Sequence, residues 1–181
     1  MILKDLKIFS QNIQKNNFII NTILEINNNF NIIFIQEPSW STLQFIPSSS
    51  NCEGNLLVEV VNHPNWLTFT RDPDIMNDCL RVIIFINIRL SYFHFSFCKD
   101  VINHRDIHLT SFFNSGDIFW LMNIYSEFSY STMRYLKDTE FNIQNLLVMT
   151  GDFNIWDCLW DPLFSHHFSI SDNLFCDCWL F

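Results

Sequence analysis

The chain has 181 residues, with 10 Lys and Arg against 19 Asp and Glu, a formal charge of −9. It is 49% hydrophobic and 17% aromatic but only 16% charged, which excludes a disordered tail and suits one domain with a substantial core. The acidic balance excludes nucleic-acid binding by bulk charge alone, because a phosphate backbone is repelled unless a metal or a local basic patch intervenes.

In chain order, Leu6 to Ser10 reads as a short strand ending at Gln11-Asn12. Asn17 to Asn27 follows with Phe18, Ile19, Ile23, Leu24 and Ile26 near helical spacing, and Asn31 to Ile35 is a continuous apolar run, the mark of a strand buried on both faces. Strand, helix, strand of these lengths is a βαβ-like opening. Pro47 to Gly54, rich in Ser and Asn, reads as a loop. Four more strands are expected at Asn65 to Thr70, Arg81 to Ile88, His104 to Phe113 and Ile118 to Ile124. Ser129 to Asn145 reads as a helix with Met133, Leu136 and Phe141 on one face, and Leu146 to Met149 as a buried strand closed by Thr150-Gly151-Asp152. The expectation is one domain over 1–181, of α/β or α+β class, with about seven strands, several of them antiparallel.

No apolar stretch is longer than the five residues of Val82 to Ile86, far short of a bilayer span, and Lys4, Asp5 and Lys7 interrupt any apolar leader. An intracellular protein with free thiols at its six cysteines is therefore expected. Phe occurs 20 times, Gly 3 times and Ala never, a drift toward AT-rich codons that blurs propensity arguments.

Polar residues follow four of the hydrophobic runs, and side chains two apart on a strand share a face. Asp152 and Asn154 follow Leu146 to Met149, with Phe153 turned back to the core. Asn123 and Tyr125 end the run from Phe119, Asn12 continues the face of Ile8 and Ser10, and Glu37 ends Ile33 to Gln36. Open α/β folds place their sites at such strand ends. Glu37 is a hard oxygen ligand suited to Mg²⁺, Asp152 suits the preparation of a water for attack at phosphorus, and Asn12, Asn154, Asn123 and Tyr125 offer neutral donors to phosphate oxygens. That set suits metal-assisted phosphodiester hydrolysis. Each residue alone has an ordinary reading as well: an Asn at a strand end is most often a turn residue, and Glu37 before Pro38 a solvated carboxylate. Arg71 and Arg81 read as surface cations, with phosphate binding as the alternative, His104-Arg105-Asp106 as a structural ion pair or a rim contact, and Trp40, Trp66 and Trp120 as core or rim packing rather than base-stacking platforms.

The runs Phe9-Ser10-Gln11-Asn12, Ile35-Gln36-Glu37-Pro38, Met122-Asn123-Ile124-Tyr125 and Gly151-Asp152-Phe153-Asn154, in this order over nearly the whole chain, resemble the endonuclease/exonuclease/phosphatase superfamily. They look most like the endonuclease domain of non-LTR retrotransposons, particularly fungal copies. The resemblance implies a four-layer α/β/β/α sandwich of two mixed sheets and Mg²⁺- or Mn²⁺-dependent cleavage of phosphodiesters, with DNA as the substrate; a monomer is expected. It assigns Glu37 to the metal, Asn12 beside it, Tyr125 near the scissile phosphate, and Asp152 and Asn154 to the attacking water and transition state. A nuclear address would suit such an enzyme, though no basic signal marks one.

The chain also departs from the family pattern. Members end on a Ser-Asp-His motif, which Ser171-Asp172-Asn173 does not match, so a C-terminally truncated domain with a degenerate tail from about residue 170 is expected. His166 and His167, after Trp160-Asp161-Pro162, match a family loop near DNA and are weak substrate-binding candidates. A zinc site from His166, His167, Cys176 and Cys178 has poor spacing. The alternatives are a truncated, non-catalytic remnant and a phosphatase of the same superfamily.

Overall fold

The computed structural model describes residues 6–27, 29–39, 43–47, 56–60, 63–70, 81–91, 93–98, 100–114, 116–127, 129–139 and 145–154. Trp40, Arg71, Trp160 to Pro162, His166, His167, Ser171 to Asn173, the cysteine-rich tail and all but the first residue of the expected Pro47–Gly54 loop lie outside the described residues.

Asn16 opens the first helix, α1 (Asn17–Ile26), by accepting a hydrogen bond from Phe18 N at 3.1 Å, satisfying one of the amides that a helix N-terminus leaves without a partner. Ile20, Ile23 and Leu24 form its buried stripe, while Phe18 and Ile26 stay exposed. The helix connects β1 (Ile8–Asn12) to β2 (Ile32–Gln36), which pair in parallel. A β3 (Leu43–Pro47) and β4 (Leu56–Val60) hairpin follows as a separate two-stranded sheet. Then β5 (Trp66–Phe69) and β6 (Val82–Asn87) complete a first sheet in the order β1-β2-β6-β5, with β6 antiparallel to both neighbours. The second sheet contains β7 (Phe95–Phe97), β8 (Ile107–Asn114), β9 (Asp117–Tyr125) and β10 (Leu146–Asp152), in the order β10-β9-β8-β7. Here β9 and β10 are parallel and the other pairs antiparallel, and α2 (Ser131–Asp138) makes the crossover.

The period-two alternation of the strands sorts the core into three layers of side chains. Ile33, Ile35, Ile83 and Phe85 face α1. Ile32, Phe34, Ile84 and Ile86 point the other way, meeting Leu121 and Phe112 between the sheets. Leu109, Met122 and Ile124 face Met133 and Leu136 of α2. The architecture is therefore helix, sheet, sheet, helix. It explains why every residue of β2 and β6 is buried: both faces of the first sheet are covered. Each such Ile or Phe contributes roughly 1.5–3 kcal/mol by leaving water. Trp66 is buried, and its indole N–H donates to Leu24 O at 3.0 Å, fastening α1 to the first sheet.

Several element boundaries differ from the sequence reading. The strand expected from His104 starts at Ile107, because a turn closed by Ile107 N donating to His104 O occupies the preceding residues. The run expected to continue to Ile88 bends into a 3-10 turn at Ile88–Leu90, nucleated by Asn87 Oδ1 accepting from Arg89 N. Helix α2 starts after Tyr130, which adopts a left-handed backbone (φ 56°), rather than at Ser129. The β3, β4 and β7 strands are additions to the expected set.

This topology concentrates chemistry at one rim. The parallel strands β1, β2, β9 and β10 all deliver their C-terminal ends there. The antiparallel strands β6 and β8 deliver their N-terminal ends to the same edge.

Candidate active site

The space between the sheets changes from apolar to polar as it approaches this rim. Beyond Phe34 and Leu121, the same inward-facing positions carry Ser10, Gln36 and Asn123. Gln36 Nε2 donates to Asn123 Oδ1 at 2.6 Å and to Ser10 Oγ at 3.2 Å. Asn123 Nδ2 donates to the carbonyls of Ile35 at 3.0 Å and Ile83 at 2.9 Å. Asn123 is fully buried, and its amide is committed on both sides. The sequence reading put it among the substrate contacts. Its face is as expected, but it lies one layer too deep and bolts the second sheet to the first.

At the outer layer, Asn12, Glu37, Tyr125, Asp152 and Asn154 converge. Asn12 Nδ2 donates to Asp152 Oδ2 at 2.5 Å and to Glu37 Oε2 at 3.1 Å, although these carboxylates are 115 residues apart in sequence. Asn12 Oδ1 accepts from Gln14 N at 2.8 Å, which fixes the direction of the amide. The phenol of Tyr125 lies near Glu37, close enough for that carboxylate to act on it. Asp152 Oδ1 accepts from Asn154 N at 3.1 Å, and Asn154 Nδ2 donates to Ser126 O at 2.6 Å. Ser126 N in turn donates to Asp152 O at 2.7 Å, a bond that a proline at that position could not make.

Backbone conformation holds the two acids in place. Glu37 has a left-handed backbone (φ 48°), which costs a residue with a Cβ about 1–2 kcal/mol. It is clamped there by its own N–H donating to Arg81 O at 2.7 Å and by Lys15 N donating to its carbonyl at 2.8 Å. Such strain, held by its surroundings, is a frequent mark of a functional position. Asn154 is also left-handed (φ 48°), a conformation Asn tolerates well. Gly151 stands opposite Ile124 in the β9–β10 pairing, and a Cβ there would collide with the Ile124 carbonyl. The glycine lets β10 approach closely enough to set Asp152 beside Tyr125.

A charged group lies next to these residues. Arg81 pairs with Glu127, and its Nε lies 3.5 Å from Asp106 Oδ1. Arg105 reaches the same two acids, at 3.0 and 3.4 Å. The Arg81 guanidinium lies over the Tyr125 ring, 5.1 Å from its centroid. Arg81 was expected as a surface cation. It is a partly buried member of the rim instead, because β6 begins where the parallel strands end. Burial pushes the Asp106 carboxyl up, against the opposing pull of the two arginines. Burial, with Glu37 and Asp152 adding negative charge nearby, pushes the Tyr125 phenol up to about 12, so it stays protonated and able to donate at neutral pH. His108, deeper on the inward face of β8, is held down to about 3 by burial and pairs with Thr110 Oγ1 at 2.8 Å.

Among the described residues no group of three or more His, Cys, Asp or Glu side chains is placed to hold a metal. The donor set is instead the pair Glu37 and Asp152, joined through one amide nitrogen. Two hard carboxylates so close, beside neutral donors, suit a cation such as Mg²⁺ that takes one or two protein carboxylates and keeps several waters. Of the residues sequence reasoning missed, Gln36 matters most; Arg81 was singled out, but not its place at the rim. The signal for Gln36 was its place on the inward face of β2, two residues past Phe34.

No family model matches the chain, and no curated protein matches it. Among solved structures it is similar to the "Endonuclease domain of TRAS1, a telomere-specific non-LTR retrotransposon", with TM-score 0.56 and 14% identity over 95% of this chain and 70% of that one. It also matches a humanized D. rerio TDP2 carrying 14 mutations, with TM-score 0.46 and 14% identity over 87% of this chain and 66% of that one. Among the described residues no helix is long and apolar enough to cross a membrane. With two mixed four-stranded sheets packed face to face and a helix on each outer face, the chain has an α/β sandwich fold like that of the TRAS1 endonuclease domain.

Proposed function

We propose that this chain is a metal-dependent phosphodiesterase that cleaves DNA as an endonuclease of the retrotransposon type. The observation that carries the reading is the meeting of Asn12, Glu37 and Asp152 through one amide nitrogen, with Tyr125 and Asn154 at the same carboxylates.

Glu37 and Asp152 would hold a Mg²⁺ or Mn²⁺ ion, which supplies a Lewis acid for a phosphoryl oxygen and offsets the repulsion between an acidic chain and its substrate. Asn12 orients both carboxylates. Tyr125, kept protonated, donates to a non-bridging phosphoryl oxygen, where negative charge grows in the transition state. Asp152 accepts a proton from a water aligned with the scissile bond, and Asn154 N fixes the carboxylate oxygen that does not face Asn12. DNA as partner is supported by the first neighbour's name, at the level of fold.

Nicking of supercoiled plasmid with Mg²⁺, Mn²⁺ or chelator tests this. Wild type nicks only with a metal, and Glu37→Gln and Asp152→Asn each reduce the rate at least about 10²-fold. Equal rates in all three proteins would overturn the proposal. A small phosphate monoester hydrolysed in preference to plasmid would turn it toward a phosphatase.

A further inference from the structure

We propose that Arg81 is a positioning residue for both Glu37 and Tyr125, acting on the first through its main chain and on the second through its side chain. This rests on the reading of Glu37 and Tyr125 as reacting-site residues. Glu37 N donates to Arg81 O at 2.7 Å, one half of the clamp on its left-handed backbone. The guanidinium of the same residue covers the face of the Tyr125 ring. The backbone of Glu37 and the ring of Tyr125 are therefore both set by one residue just before β6.

A direct grip on phosphate is the competing role for an arginine here, and the geometry argues against it. Glu127 and Asp106 already face this guanidinium, and among the described residues they form with Arg81 and Arg105 a group of two cations and two carboxylates, formally neutral. A phosphate would have to displace Glu127. The planar guanidinium can instead lie flat on the ring while its edge binds the acids. A lysine ammonium cannot do both.

The test combines kinetics with a readout that needs no turnover. Arg81→Lys and Arg81→Gln are expected to lower kcat for plasmid nicking about tenfold to 10²-fold, the scale of a misaligned group, and to leave KM nearly unchanged. Adding either change to Tyr125→Phe is expected to cost nothing further, because the two act as a unit. Additive losses, or a raised KM with altered salt dependence, would mean direct phosphate contact and overturn the proposal. In nitrogen-labelled protein the Arg81 Nε proton is expected to be shielded by the ring and to move downfield in Tyr125→Leu, with Arg105 unmoved. An unshifted Arg81 signal would overturn the stacking whatever the kinetics. If wild type fails to nick DNA, the proposed function falls and this resonance alone decides the role of Arg81.

Discussion

Strands β2 and β10 each deliver a carboxylate to the rim, but from opposite settings. All five residues of β2 are buried, while all seven of β10 are half-buried. Glu37 follows a strand covered by α1 on one side and the second sheet on the other, and neighbouring backbone fixes it twice. Asp152 ends a strand whose one pairing partner among the described residues is β9. Local opening costs less where fewer apolar contacts are buried. The comparison teaches that the site has a stiff half, which carries Glu37, and a more adaptable half, which carries Asp152 and Asn154. Both carboxylates belong to the proposed cation site, and the adaptable one also suits following a water through a reaction.

The sharpest way to break this comparison is to truncate matched positions of the inter-sheet layer. Phe34→Ala on β2 is expected to cost about 3–5 kcal/mol, against about 1 kcal/mol for Val148→Ala on β10, read from chemical denaturation. Equal costs would mean that the two strands do not differ in stiffness. Next comes the bolt between the halves. Asn123→Leu leaves Gln36 Nε2 and the Ile35 and Ile83 carbonyls short of a partner, at roughly 1–3 kcal/mol for a group left wholly unpaired. The expected loss is about 2–3 kcal/mol, and a smaller loss would mean the sheets register without this amide.

The smallest effect is in pH. His108 is held near 3 in the fold against an ordinary value of 6.5, so the fold favours its neutral form. Its contribution is fully present above 6.5 and is lost as pH falls from there toward 3, with a slope approaching about 1.4 kcal/mol per pH unit. The carboxyl of Asp106, raised by burial, works in the opposite sense as it protonates. Melting temperature between pH 7 and 5 is therefore expected to decline in wild type and to flatten in His108→Asn, where Asp106 is common to both. Parallel profiles would remove His108 from the account.

Most of the fold was legible because strands buried on two faces announce themselves, as Ile32 to Ile35 and Val82 to Ile86 do. Phe95–Phe97 was not, since three residues are too few to display a period. The β3–β4 hairpin was missed because each strand is short and interrupts its own alternation, at Phe45-Ile46 and Leu56-Leu57-Val58. At the rim, the rule that side chains two apart share a face put Asn12, Tyr125 and Asp152 together, as the structure does, while Asn154 comes there by a left-handed turn after β10. It could not give depth, so Asn123 was assigned to the rim rather than the layer beneath. Nor could it find Arg81, because a residue that precedes an antiparallel strand reaches the rim only once sheet order is known.

The clamp on Glu37 uses main-chain atoms of Lys15 and Arg81, never their side chains. A change of side chain at Lys15 can therefore leave this acid where it stands, provided the peptide groups stay put, whereas at Arg81 it would spare Glu37 and uncover the Tyr125 ring. One acid of the pair is thus held by peptide groups that every residue type except proline can supply, while the phenol beside it depends on a particular side chain.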